Sequence, residues 1–300
     1  MKKFIYPFFI VLAASLWGIS GLFVRSLGKL GFSTYEIAFL RLFAGAVAII
    51  IAFSIFNRKA FKIKLKDVWC FIGTGSIGVL GTSIFYFSTM EQASLSVACV
   101  LMYTSPMFII ILSRIFFKEK ITLTKIISVA VILVGCFLCS YTVGGFSLTL
   151  GTLITGIMSG LSYGSYSIFS RFAINKGYKI DTILLYTFIF ASLGSAFFVP
   201  YGQLIVNVQK STQFIFPVIG VGIISGVAPY LFYTLGLKGV SNIKAGILSA
   251  LELVASLIVG LIAYSEIPTG YNVFGILLIF VAIAVQELRF EKGLRVLKSD

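Results

Sequence analysis

Trp17-Gly18-Ile19-Ser20-Gly21-Leu22-Phe23-Val24-Arg25 returns 146 residues later as Tyr163-Gly164-Ser165-Tyr166-Ser167-Ile168-Phe169-Ser170-Arg171, with glycine, phenylalanine and arginine in register. A second window agrees at an offset of 147. Phe85-Tyr86 falls on Phe232-Tyr233, Ser94 on Ser241, Ala98 on Ala245, Leu101 on Leu248, Glu119 on Glu266 and Thr122 on Thr269. Apolar matches between hydrophobic stretches arise easily by chance, whereas coincident arginines and coincident glutamates do not. Self-similarity at a fixed spacing marks a duplicated unit. The chain therefore reads as two halves, 1–142 and 150–288, followed by a tail at 289–300.

Composition says where those halves reside. The 300 residues are 59% hydrophobic and 11% charged, with a mean hydropathy of +1.05, whereas a soluble chain is about half apolar and a quarter charged. The apolar runs are long and lack the alternation of barrel strands, so they read as helices, which satisfy their own backbone in lipid. A bilayer core of about 30 Å takes roughly 20 residues per helix. The predicted spans are 6–24, 35–56, 67–88, 94–116, 122–142, 150–172, 182–205, 214–236, 242–264 and 269–288. Five spans per half is an odd number, so the halves enter the bilayer in opposite senses. The fold class predicted is an all-α integral membrane protein of ten transmembrane helices in two inverted five-helix repeats.

Charge sets the expected orientation. Under that assignment twenty lysines and arginines fall on one face, among them Lys2, Arg58, Lys118, Arg171, Lys238 and Arg289, against Arg25, Lys29 and Lys210 on the other. The positive-inside rule then places both termini in the cytoplasm of a multi-pass protein of the cytoplasmic (inner or plasma) membrane. The net charge of +14 is accounted for by these short loops, so no nucleic-acid partner is expected. The opening MKKFIYPFFIVLAASLWGISGLFV has a long apolar run without a small-x-small cleavage pattern near its end, and reads as a retained first span.

Several chemistries lack their residues. With no histidine, the imidazole-based metal, nucleophile and proton-relay templates are gone. Cys70, Cys99, Cys136 and Cys139 all lie in apolar runs; the CxxC of Cys136 and Cys139 sits in VILVGCFLCSY with no second pair, and reads as packing. No GxxxxGK[ST] loop exists, and the GxGxxG at Gly73, Gly75 and Gly78 lies inside a span. No enzyme activity, metal or cofactor is expected.

The ten spans, the 5+5 repeat, the Trp17-Gly18 of span one, YTSPMF in span four, FFKEKIT and AYSEIPT before spans five and ten, and Leu251-Glu252 in span nine together resemble the drug/metabolite transporter superfamily, in particular its EamA-type members. The likeness runs over essentially the whole chain. It implies secondary active transport of small organic metabolites, often export of amino acids or related compounds. One departure stands out: span nine of that family often reads Leu-Glu-Pro, and here it reads Leu251-Glu252-Leu253.

Charges and aromatics within spans are the site candidates, because a charge at the bilayer centre costs at least about 2.5–3.5 kcal/mol and so faces a cavity or a partner. Glu252 lies mid-span; it is a candidate to bind a cationic amine or carry a proton, with a purely structural hydrogen bond as the alternative. Arg41 is expected to pair with Glu36 or snorkel, and less readily to meet a substrate carboxylate. Symmetry brings Trp17, Tyr163 and Tyr166, and also Tyr86, Tyr103, Tyr230 and Tyr233, toward one central cavity, where aromatic faces can cage an ammonium group. Pro106 and Pro229 each remove a helical hydrogen bond and are expected to kink spans four and eight. The partners expected are a small-molecule substrate, protons and the bilayer, with a homodimer as the oligomeric alternative to a monomer. A carrier of choline-like quaternary amines and a non-transporting receptor or scaffold remain alternatives to the amino-acid exporter.

Overall fold

A computed structural model describes residues 2–93, 95–141, 149–210 and 212–296, with the side chains of 2, 3, 95, 96 and 287–296 outside the description. The linker at 142–148 and the last four residues, where the predicted halves join and the tail ends, lie outside the described residues. Span one is α1 (Lys2–Gly18) and α2 (Ser20–Lys29), and span two is α3 (Thr34–Phe56). Span three is α4 (Val68–Ile72), a π-helical stretch (Gly73–Leu80) and α5 (Gly81–Gln92). Span four is α6 (Leu95–Met102) and α7 (Ser105–Phe117), span five α8 (Leu123–Cys139), span six α9 (Leu150–Asn175), and span seven α10 (Ile180–Ser195). After α11 (Tyr201–Lys210), span eight follows as α12 (Ile215–Ile219), a second π-helical stretch (Gly220–Val227) and α13 (Ala228–Leu237). Span nine is α14 (Asn242–Ser249) and α15 (Leu251–Tyr264), and span ten is α16 (Gly270–Val296).

Six of these segments are long and apolar enough to cross a bilayer, and α8, α10 and the first part of α16 are shorter apolar helices. The tenth, α9, is 26 residues long but less apolar, because it turns Ser159, Ser162, Ser165, Ser167 and Ser170 inward. A helix surrounded by protein has less need of a lipid-facing apolar surface.

The duplication is visible in backbone detail. The π-helical stretches begin at Gly73 and Gly220, and the mid-span breaks fall at Tyr103–Thr104 and Ala250. Left-handed residues end spans four and nine at Lys118 (φ 55°) and Ser265 (φ 56°), and left-handed Gly31 and Gly177 follow spans one and six. Packing repeats too: a Cβ on Gly75 would stand 2.5 Å from the Thr187 carbonyl oxygen and 2.8 Å from Phe190 Cβ, while one on Gly222 would stand 2.7 Å from Ala44 Cβ. Likewise Gly73 abuts Phe169 and Gly220 abuts Phe23. Span three of the first half is thus clasped by spans six and seven of the second, and span eight by spans one and two. The core lies between the halves, and small residues permit the close approach.

Three predictions are corrected. The seventh span does not run to 205: α10 ends at Ser195, because Pro200 supplies no donor to continue a helix, and α11 is a separate helix with Leu204 and Asn207 buried. Its Asn207 Nδ2 donates to the Gly31 carbonyl at 3.0 Å and to Glu36 Oε1 at 3.3 Å, tying the helix across the loop after span one. Glu36 does not pair with Arg41. It closes a capping box with Ser33 at the head of α3. The helix of span ten also runs on beyond the predicted 288, as α16 extends to Val296 into the residues read as tail, although its apolar part ends at Gln286.

Candidate functional site

A narrow cavity opens between the halves, with room for little more than a water-sized guest. Trp17 of α1, Gly78 and Thr82 of span three, Tyr163 and Tyr166 of α9, and Tyr230 and Tyr233 of α13 line it. Trp17 is the hub: its ring centre lies 5.2 Å from Tyr230, 5.5 Å from Tyr233 and 5.9 Å from Tyr163. Tyr166 meets Tyr230 at 4.8 Å, edge to face. Such geometries suit aromatic quadrupoles. The hydroxyls are held as well: Tyr166 shares a 2.6 Å hydrogen bond with Thr234, and Tyr233 is bonded to Ser167. The cage is therefore rigid on the side of spans six and eight.

Glu252 borders this cage. The Tyr163 hydroxyl points at Glu252 Oε2 from 3.5 Å. The helix break at Ala250 places Glu252 in the first turn of α15, where the helix dipole favours a carboxylate. The break forms at Ala250 although Leu253 stands where the resembled family often has proline. Span four breaks at the repeat-related place and there offers Ser105, not an acid. Tyr86, whose hydroxyl lies 3.0 Å from Cys99 Sγ, and the buried Tyr103, whose hydroxyl interacts with the Glu252 carboxylate, stand within the electrostatic field of Glu252. Interrupted helices in matching spans of two repeats are where carriers of this architecture place their sites.

Arg41 has a physical account of its own. Pro229 lacks an N–H and so frees the carbonyl four residues earlier, that of Ser225. Arg41 Nη2 donates to that carbonyl at 3.0 Å. At the matching position of span three stands Thr82, whose hydroxyl takes up the Gly78 carbonyl at 2.6 Å. Arg41 Nε is buried without a partner. Arg41 and Glu252 both act electrostatically on Tyr230, with opposite sign.

Of the residues singled out in sequence, Trp17, Tyr163, Tyr166 and Tyr230 thus meet at one cavity. Glu252 joins them through Tyr163, and Tyr86 and Tyr103 form a second layer. Pro106 sits at the head of α7 just after the span-four break, and Pro229 at the head of α13 after the π-helical stretch. Thr82 and Gly78 were not anticipated, although Thr82 occupies the repeat counterpart of Pro229. No group of three or more metal-ligating side chains occurs among the described residues. Away from the centre, Lys176 Nζ donates to Asp67 Oδ1 at 2.7 Å and Tyr178 to Asp67 Oδ2 at 2.8 Å, clamping α9 to the start of span three. The Asp67 hydrogen bond raises the Lys176 pKa above the ordinary lysine value.

Fold and site together define a ten-helix membrane protein of the inverted-repeat transporter class. Two successive stretches, residues 4–141 and 150–286, each match the EamA-like transporter family, and the chain belongs to that family. An uncharacterized transporter of Archaeoglobus fulgidus is 27% identical over 283 residues, covering 92% of this chain and 94% of that protein. The uncharacterized transporter YdfC of Bacillus subtilis is 25% identical over 267 residues, covering 88% and 85%. A solved crystal structure superposes with a TM-score of 0.77 at 20% identity over 96% of this chain and 98% of that one, a likeness of fold. The protein is a multi-pass membrane transporter.

Proposed function

We propose that this transporter is a secondary active, alternating-access carrier that moves a small zwitterionic organic metabolite, an amino acid or a close relative, out of the cell across the cytoplasmic membrane, with both termini cytoplasmic. The observation that supports this reading is that one carboxylate and one guanidinium adjoin the aromatic cage around Trp17 and Tyr230: the Tyr163 hydroxyl reaches toward Glu252 from 3.5 Å, and Arg41 and Glu252 both act electrostatically on Tyr230. Glu252 and the ring faces receive the ammonium group, and Arg41 Nε, buried without a partner, receives the carboxylate. Protons are the proposed coupling ion, with Glu252 as their carrier.

Counterflow in proteoliposomes tests the substrate class. Uptake of labelled neutral amino acids against an amino-acid-loaded lumen is the expected result, preceded by a thermal-shift screen in which a ligand at 100 times its Kd stabilises by about 2.7 kcal/mol. Thermal stabilisation without flux of any ligand overturns the carrier in favour of a receptor. Efflux from preloaded cells tests direction, and a pH profile unchanged by Glu252→Gln removes the proton role. A second reading is favoured by the commitment of Arg41 Nη2 to Ser225: a site with only Glu252 and rings suits a quaternary amine. Counterflow by choline but not by alanine would select it.

A further inference from the structure

The two arginines of the repeat have different partners. Arg25, at the end of span one, donates both terminal nitrogens to Glu266, at 2.5 and 3.3 Å. Its counterpart Arg171, at the end of span six, does not bond Glu119, the counterpart of Glu266. Instead Arg171 Nε donates to Asn242 Oδ1 at 3.0 Å and its terminal nitrogen bonds the Val240 carbonyl, both in the turn that leads into span nine. Glu119 lies within the field of Arg171, and its buried Oε2 makes no hydrogen bond, only a long ion pair with Lys125 Nζ at 3.9 Å.

Packing follows the same division. On the lysine- and arginine-rich face, α14 is buried along its whole length and packs on α7. On the opposite face the counterpart pair, α6 and α15, makes no comparable contact among the described residues. One face is thus sealed between spans four and nine, and there the arginine holds the span-nine turn. On the loosely packed face the arginine is parked on its glutamate.

From this, and resting on the carrier reading above, we infer that Arg25 and Arg171 are paired latches that exchange partners during transport. In the opposite state, Arg171 releases Val240 and Asn242 and moves onto Glu119 Oε2, which makes no hydrogen bond here, while Arg25 leaves Glu266 for the Ala93 carbonyl, the counterpart of Val240. Both ends of the exchange are built from residues 146 or 147 positions apart, so one motion serves both faces. The latches are unequal, because Leu95 stands where Asn242 stands in the second half. The seal on the basic face therefore has one hydrogen bond more than its counterpart.

The test is labelling of Thr82→Cys, a cavity-lining position, in a full-length chain whose four native cysteines are alanine, using a membrane-impermeant maleimide applied to either face of reconstituted vesicles. Glu266→Gln is expected to lower labelling from the face of Arg25 and raise it from the basic face, by about fivefold, the scale of one partly exposed ion pair. Glu119→Gln is expected to shift labelling the other way. Asn242→Leu, which removes the acceptor of Arg171 Nε without adding or deleting a charge, is expected to raise basic-face labelling. Labelling from both faces that none of these substitutions moves, or that both glutamine variants move in one direction, overturns the latches and leaves the carrier standing. Labelling confined to one face in every variant overturns the carrier reading and the latches with it.

Discussion

Spans four and nine share a backbone and differ in chemistry. Each crosses as two half-helices, broken at Tyr103–Thr104 and at Ala250, and each ends in a left-handed residue before a glutamate. Yet the second half-helix opens with Ser105-Pro106 in one and Leu251-Glu252 in the other. Duplication has preserved what movement requires, namely where helices break and where glycines let them slide, and has let the central side chains diverge. An inverted repeat must be symmetric to open to both faces, whereas a site for an asymmetric solute must not be.

The largest expected effect breaks that asymmetry. Glu252→Gln removes the one acid at the centre, and loss of a partner to a buried charge costs about 2–4 kcal/mol, roughly 30- to 1,000-fold in transport at limiting substrate. Adding Ser105→Glu to that variant should not restore flux in the counterflow assay, because Tyr163 faces Glu252 and not Ser105; full rescue would make the halves equivalent.

Next come the shared glycines. Gly75→Ala and Gly222→Ala each force a methyl to within 2.5–2.7 Å of the facing helix and should each lower stability by about 1–3 kcal/mol, read as thermal unfolding in detergent. Gly21→Ala, where a Cβ meets nothing within 4 Å, should be neutral or gain about 0.5–1 kcal/mol. Equal losses at 75 and 222 would sharpen the symmetry, and a loss at only one would break it.

Smaller still is Tyr166→Phe, which removes the hydroxyl bonded to Thr234 while Thr234 keeps its bond to the Tyr230 carbonyl. A loss of about 1 kcal/mol in the same unfolding measurement is expected. Smallest is the effect of Glu266→Gln on stability: an ion pair whose side chains are 42% and 52% exposed contributes under about 1 kcal/mol, so the melting temperature should barely move even as accessibility shifts.

Much of the site was legible once the repeat had been seen. Symmetry superposes the helices of Trp17, Tyr163, Tyr166 and Tyr230, and these residues meet at one cavity. Thr82 was not legible, since threonine in an apolar span carries no signal of its own. The pairing of Arg41 with Glu36 was a reasonable inference from sequence proximity and proved wrong, because the nearer acid was already committed to the cap of α3.

What the sequence by itself determined is the membrane class, the number of crossings and the duplication. These are properties that add up residue by residue or recur at a fixed offset, so they survive without coordinates. What only the tertiary structure decided is which groups satisfy one another: that Arg41 takes up the Ser225 carbonyl 184 residues away, that span nine breaks without a proline, and that Arg171 holds Val240 while Arg25 holds Glu266. Inside a bilayer a freed carbonyl or an unpaired charge must find a partner within a few ångströms. Which partner lies there is fixed by packing between distant spans, and hydropathy carries no record of it.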